Sequence, residues 1–420
     1  MKSKMTYINL FLLISIFNTG LCIMFLFFNM GELFNRIILG PTNQFSDYFF
    51  HVSMAQDRRN LYSLSSNVCF PPLAYCMYYF LYRFAPSDVD IMDWEAYKNS
   101  DNALTIFVIY NLICAIFLLY VIRSYMKKSS LKYDVILPIA LLMSIPFCAT
   151  SIQRGNAVML VSITLSLFFL WNDDISKIKQ EVALVLLAVA AGFKTYPALC
   201  GIIYIKRKEW AKAVRCLIYG IVLYFGPFVF FGGLSGLRLI ISNYLSRETA
   251  APRTGTARGV ILYFLNKLAA FTPIANTRIS VAGELLFIVI LLISFFIAKK
   301  RWQESLFLCG IMSVCIPSNN MYTAIYFLIP CLMFLSENAE NKLKKVCRLE
   351  VISCFLLAMI FSLPIYFLLY WTKVYLGTFA MIYLLLIVNI WSVLYNYIRE
   401  LIKCWRGTRA ENVPDLQGCK

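Results

Sequence analysis

The sequence predicts an all-α fold, a polytopic transmembrane helical bundle. Three observations carry that prediction. The chain is 60% hydrophobic and only 15% charged, against roughly 45–50% and about 25% in an average soluble domain. Apolar runs close to 20 residues recur from one end to the other, the length that crosses a hydrocarbon core of about 30 Å. The basic residues sit mainly in short loops between those runs, which is the positive-inside pattern. The net charge of +17 therefore reflects membrane topology, and nucleic acid is not expected as a partner. Membrane lipid is.

The first apolar run covers about residues 6–29. It follows Met1-Lys2-Ser3-Lys4 without a small-residue cleavage site, so it reads as an uncleaved anchor with a cytoplasmic N-terminus. The first outside loop, 30–69, follows. Within it, residues 47–57 are amphipathic and are expected to form a short helix on the membrane surface. Pro71 and Pro72 open a further apolar run to about Phe84; a proline pair suits the first turn of a helix. An acidic loop follows at 86–102.

Further spans are expected near 103–122, 135–151 and 157–171. Residues 182–205 are apolar but interrupted by Lys194-Thr195-Tyr196-Pro197. The basic Lys206-Arg207-Lys208 comes next. The remaining spans fall near 216–233, 279–298, 304–317, 323–336, 351–371 and 376–397, with a second large outside loop at 234–259 and a cytoplasmic tail at 399–420. Two segments admit two readings. Residues 70–85 cross or re-enter, and 182–205 is one helix or two halves. The charge rule favours re-entry and a break, which gives about twelve spans in one membrane domain over 1–420.

Fourteen cysteines suggest a disulfide set until they are located. Most lie inside apolar runs and no Cys-x-x-Cys occurs, so they read as small buried hydrophobes. The single histidine excludes a His-rich metal site.

Polar residues at membrane depth are costly, so each is a candidate for function. Asp47 and His51, four residues apart, share a face of the short helix. The carboxylate can serve as a general base or can simply cap the helix. His51 reads as an interfacial polar group. Gln153-Arg154-Gly155-Asn156 places an arginine outside, where it meets an anion or snorkels. Lys194, beside a helix breaker, needs a charged partner or a wet cavity. Arg238, Arg247, Arg253 and Arg258 in the second loop suit a phosphate or anionic lipid. Pro317-Ser318-Asn319-Asn320-Met321-Tyr322 offers amides and a phenol for a sugar. Walker, nucleophile-elbow, zincin and Rossmann signatures are absent. A soluble nucleotide is therefore a poor donor, and a lipid-linked phosphate at the outer interface suits the arginines and lysine better.

Together these segments resemble the GT-C superfamily of polyprenyl-phosphate-sugar-dependent glycosyltransferases, and within it the family 87 α-mannosyltransferases. The resemblance is carried by Asp47, Phe70-Pro71-Pro72-Leu73, Arg154-Gly155-Asn156, Lys194-Thr195-Tyr196-Pro197 with Lys206-Arg207-Lys208-Glu209-Trp210, and Pro317 to Tyr322, spread over about residues 40–325. It implies an inverting transfer at the outer face of a bacterial plasma membrane, metal-independent or weakly metal-dependent and without a cofactor. Asp47 would be the base. Arg154, Lys194, Arg247, Arg253 and Arg258 would hold the donor phosphate, and His51, Asn156, Tyr196, Asn319, Asn320 and Tyr322 would line the substrate. The partners would be a polyprenyl-phosphate-linked sugar and a glycan or glycolipid acceptor. Two departures stand out. Ser46 precedes Asp47 where some relatives carry a second acidic residue, so no metal-binding pair is evident. Asn319 and Asn320 occupy the late turn where relatives often place a histidine. The alternatives are an O-antigen polymerase or ligase built on the 234–259 arginines, and a lipid-linked sugar flippase. The second should show internal symmetry and paired broken helices, and only one broken segment is seen.

Overall fold

The computed structural model describes residues 5–28, 45–65, 67–84, 93–127, 129–248, 256–269, 277–316, 321–343, 348–362 and 374–411. These residues are helical, with one isolated bridge between Thr6 and Lys342. Among the described residues, four stretches are long and apolar enough to cross a membrane: Asp101–Tyr125, Trp210–Phe230, Ile279–Ile297 and Gly377–Lys403. Shorter apolar helices, among them Tyr7–Leu21, Val158–Trp171 and Leu349–Ile360, fill the bundle between them. The protein is an all-α polytopic helical membrane protein.

Charge tells the two ends of the bundle apart. At one end Lys206 Nζ meets Glu304 Oε1 at 2.6 Å and Arg207 meets both Asp173 (2.6 Å) and Glu304 (3.2 Å). Arg301 joins the same Asp173, and Lys300 pairs with Glu350. Lys206 also donates to the carbonyls of Phe295 and Ala298. Glu304 is 7% exposed, so the network has a buried carboxylate at its centre, and it ties together the ends of five segments. Thr6 and Met5 pack on Lys342 and Leu343 at this end too. Among the described ion pairs, only Asp47–Arg154 and Arg258–Glu284 lie away from it.

The path between the two ends follows from these anchors. Tyr7–Phe28 leaves the basic end, Asp101–Tyr125 returns to it, and the segment from Lys132 to Gln153 leaves again. Val158–Trp171 runs back and Lys177–Phe193 leaves once more. The chain then breaks at Lys194-Thr195 and descends as a 3-10 turn, Tyr196–Gly201, and a short helix, Ile202–Lys206. Residues 182–205 are thus a hairpin: Arg207 pairs with Asp173, just ahead of Lys177. Lys194 is extended (φ −146°, ψ 132°), which ends the first helix, and Pro197 sits in the opening turn of the next segment, where its missing N–H costs nothing.

Residues 70–85 do not traverse the bundle. The Pro72–Phe84 helix starts beside Phe70, whose ring lies 4.2 Å from that of His51. Its far end returns to the same side, with Tyr82 against Tyr97 and Tyr97 against Phe49.

Three expectations need correction. The Ser46–Met54 helix does not offer one face to the protein and one to a surface. Tyr48, Phe49, His51, Val52, Ser53 and Met54 are all buried, because the Pro72–Phe84 and Trp94–Lys98 helices pack around it. The 234–259 segment is not a flexible loop over its first part. It is the helix Gly233–Glu248, since Leu234, Leu237, Ile240, Ile241 and Leu245 fall at helical spacing with no proline between them. The last helix is longer than the expected 376–397 span and runs from Val374 to Glu411, a stretch without proline.

The described cysteines are free, and Cys69, Cys114, Cys148, Cys200, Cys309, Cys315, Cys331 and Cys354 are buried. Apolar side chains of Trp210–Phe225, including Leu217, Ile218, Ile221, Val222 and Phe225, are exposed, as a lipid-facing helix requires.

Removing Glu304 takes the shared carboxylate from Lys206 and Arg207 and leaves Lys206, which is largely buried, with backbone carbonyls alone. Glu304→Ala is therefore expected to destabilise the fold by about 3 kcal/mol, read as a clear fall in melting temperature in detergent. An unchanged melt would show that Lys206 and Arg207 find other partners there.

Candidate active site

At the end opposite the basic network, the Ser46–Met54 helix opens from Phe45, whose φ is +59°. A bulky residue in the left-handed region is strained and needs support. The Phe45 ring finds it on Phe107, with centroids 4.7 Å apart. Phe45 occupies the N-cap position and no side chain caps this helix. Asp47 therefore does not cap it. Its carboxylate turns instead to a segment more than a hundred residues away.

That segment is Ser144 to Asn156. Pro146 interrupts the apolar run, and Cys148–Gln153 is wound as a π-helix, a form that concentrates at functional positions. Gly155 follows at φ +59°. The turn docks on the first helix through backbone, with Tyr48 N–H donating to the Arg154 carbonyl at 3.0 Å. Asn156 Nδ2 donates to Asp47 Oδ2 at 2.6 Å. Arg154 Nη1 donates to Ser46 Oγ at 3.0 Å and, more loosely, to Asp47 Oδ1 at 3.4 Å. Asn156 Oδ1 accepts the Val158 N–H at 3.0 Å, which fixes the amide with its NH2 towards the carboxylate. Asn156 is 1% exposed, whereas the Asp47 side chain keeps 23% of its surface. The carboxylate is held by two donors yet remains reachable, with lone pairs to spare.

A second cation stands in the same cluster. Lys194, at the tip of the broken hairpin, is 7% exposed, and its Nζ lies 3.7 Å from the Phe70 ring centroid and 5.9 Å from that of Tyr322. Aromatic faces stabilise an ammonium without quenching its charge. Phe70 lies against His51, and His51 Nδ1 is 2.8 Å from the Tyr75 hydroxyl. Tyr78 is packed against His51, lies within range of the Asp47 charge and accepts the Ala157 N–H at 3.3 Å. Thr150 closes the ring of contacts: its Oγ1 donates to the Tyr322 carbonyl at 2.8 Å and its carbonyl accepts the Asn156 N–H at 3.0 Å.

The fold thus gathers Asp47, His51, Arg154, Asn156, Lys194 and Tyr322. Tyr196 stands next to them, its hydroxyl 3.1 Å from that of Tyr326. Arg258 is placed differently. It pairs at 2.9 Å with Glu284, which is buried, so its charge is already met by a carboxylate. Arg253, Asn319, Asn320 and the Arg247 side chain lie outside the described residues. Thr150 and Tyr78 were not anticipated. Thr150 carries a faint signal, a hydroxyl beside Ser151 in a span broken by Pro146. Tyr78 is one of 26 tyrosines and carries none.

The model of glycosyltransferase family 87 matches residues 96–317, more than half of the chain. The chain belongs to glycosyltransferase family 87. No curated protein and no solved structure matches it. The matched stretch of this family 87 glycosyltransferase contains Arg154, Asn156 and Lys194 but begins after Asp47. The contacts from Asp47 to Arg154 and Asn156 are what join the carboxylate to the matched stretch.

Gly155 is expected to tolerate no side chain. A Cβ would lie 2.6 Å from Tyr48 Cβ and 2.7 Å from Phe107 Cε2, at a φ that disfavours L-residues. Strain of order 1–2 kcal/mol comes from the backbone alone. Gly155→Ala should therefore lower the melting temperature and misplace Asn156 against Asp47; a variant with wild-type stability would show that the two segments are not docked so closely.

Proposed function

We propose that this glycosyltransferase moves a sugar, mannose, from a polyprenyl-phosphate donor to a hydroxyl of a glycan or glycolipid acceptor. The site faces the outside of a bacterial plasma membrane, and both termini are cytoplasmic. The positive-inside rule supports this orientation, since Lys206, Arg207, Lys300 and Arg301 mark the end opposite Asp47. The observation that carries the proposal is the reachable Asp47 carboxylate set between Arg154 and Asn156, with the caged Lys194 in the same cluster.

In the proposed step Asp47 takes the proton of the acceptor hydroxyl while that oxygen attacks the anomeric carbon. The bond from the anomeric carbon to the phosphate oxygen breaks, and polyprenyl phosphate leaves with the electron pair. A base on one face and a leaving group on the other give inversion. Lys194 and Arg154 meet the charge that develops on the phosphate. Arg is suited to this because its five donors can serve two anions at once. Tyr322, Tyr196 and His51 supply ring faces and polar edges along the substrate, and the amides of Asn319 and Asn320 are assigned to it as well. Asn156 is assigned to orienting Asp47, because its amide is already used on both sides. Arg258 is left out of the phosphate set because Glu284 neutralises it. That pair also weighs against a polymerase built on the second-loop arginines.

Membranes carrying the protein, supplied with polyprenyl-phosphate-linked radiolabelled mannose, should transfer label to lipid or glycan. Asp47→Asn should cut transfer by about 10²–10⁴-fold, the usual contribution of a general base, with expression and melting unchanged. Wild-type transfer by Asp47→Asn would remove Asp47 from the mechanism. Transfer from another polyprenyl-phosphate hexose, but not from mannose, would overturn the sugar and keep the base. Lys194→Met should also depress transfer, by about tenfold or more if it stabilises departing phosphate, without altering the acceptor KM. A raised acceptor KM at unchanged kcat would place Lys194 on the acceptor instead.

A further inference from the structure

The chain leaves the lipid-facing Trp210–Phe225 helix through a 3-10 stretch, Gly226–Phe230, and turns at Gly232 and Gly233. Gly232 has φ +78°, and a Cβ on Gly236 would stand 2.2 Å from the Phe231 carbonyl oxygen. This corner keeps the following helix, Gly233–Glu248, from continuing the span. The helix lies instead along the loop that closes the Asp47 segment. Asn243 Nδ2 donates to the carbonyls of Tyr62 (3.0 Å) and Val68 (2.9 Å), and Ile240 and Asn243 are buried against it.

The opposite face is apolar and open. Leu234, Ile241 and Leu245 are each more than half exposed, and spacings of seven and four residues put them in one stripe. Val229 and Phe230 carry the exposed apolar surface round the corner from Leu217, Ile218, Ile221, Val222 and Phe225 of the preceding helix. Arg238 and Ser242 lie exposed along one side of the stripe.

We propose that Gly233–Glu248 is an interfacial anchor. Its Leu234–Ile241–Leu245 stripe beds at the boundary of acyl chains and headgroups in the leaflet on the Asp47 side, with Arg238 reaching to the headgroups. The occupant is lipid, because the stripe continues without a polar break from a helix that lipid already covers. The anchor sets the depth of the site. Its buried face holds the 62–68 loop through Asn243, and its Tyr244 hydroxyl lies 3.3 Å from Thr195 Oγ1, next to Lys194. The helix therefore bears on two segments around Lys194, the loop leading to Phe70, whose ring faces the ammonium, and the hairpin tip at Thr195. This inference stands apart from the choice of sugar or donor.

The test is paramagnetic accessibility of the full chain in phospholipid nanodiscs. A ketone-bearing amino acid, coupled to a nitroxide, replaces Ile241 or Leu245, which spares the fourteen cysteines; Leu234 gives a third, independent position should either variant not fold. Ile221 is the reference inside lipid, and fully exposed Ile175 is the reference in water. All three stripe positions should favour oxygen over a nickel chelate several-fold relative to Ile175, at a depth shallower than Ile221. Nickel accessibility equal to that at Ile175 would put the helix in water and overturn the anchor. Low accessibility to both reagents would mean that protein covers the stripe, a second copy or a partner, and would overturn it equally.

Discussion

The site depends on one docking event, the seating of the Ser46–Met54 helix on the turn at Arg154-Gly155-Asn156. A backbone hydrogen bond from Tyr48 to Arg154 fixes the register, and the Asp47–Asn156 bond fixes the carboxylate. The two segments are more than a hundred residues apart, so the chain must first pass through the bundle twice to present the turn. Gly155 makes the approach possible, since any side chain there would strike Tyr48 and Phe107. Among the described residues of the first loop, none makes a comparable polar contact with the carboxylate. Everything chemical at this end of the molecule follows from that contact.

The bundle supplies the stiffness that the contact needs. Val158–Trp171 starts two residues after Asn156 and ends two before Asp173, about 21 Å away at 1.5 Å per residue. One rod therefore joins the carboxylate cluster to the basic network. Its first N–H, from Val158, is accepted by the same Asn156 that orients Asp47, and its far end is pinned by Arg207 and Arg301 through Asp173. Glu304 is the buried centre of that network, and its carboxylate is met by both Lys206 and Arg207, which is what a charge taken out of water requires.

Much of this was legible in the sequence, and the reasons differ from residue to residue. Composition and run length gave the all-α membrane bundle, because hydrocarbon tolerates little else. Pro197 marked the broken hairpin and Pro71-Pro72 the start of a helix. Asp47, Arg154 and Lys194 stood out because charge in apolar surroundings is costly. Their meeting was not legible: no periodicity links residue 47 to residue 154. The second-loop arginines misled, since Glu284, which neutralises Arg258, lies in an apolar run and looks like part of it. Helical spacing of Leu234, Ile241 and Leu245 was present, but the glycines around it read as a loop. Tyr78 and Thr150 carry roles that depend on which neighbour the fold delivers, and no local pattern encodes that.

The unequal bonds on Asp47 have a consequence for the proposed reaction. The 2.6 Å bond from Asn156 comes from a neutral, locked amide, and it can persist through a catalytic cycle as a positioning contact. The 3.4 Å contact from Arg154 is long for a charge-assisted bond. Arg154 is held better by Ser46 than by Asp47. An incoming phosphate can therefore draw on the guanidinium without dismantling the site. In the proposed reaction the donor phosphate and the base thus meet at one side chain, Arg154.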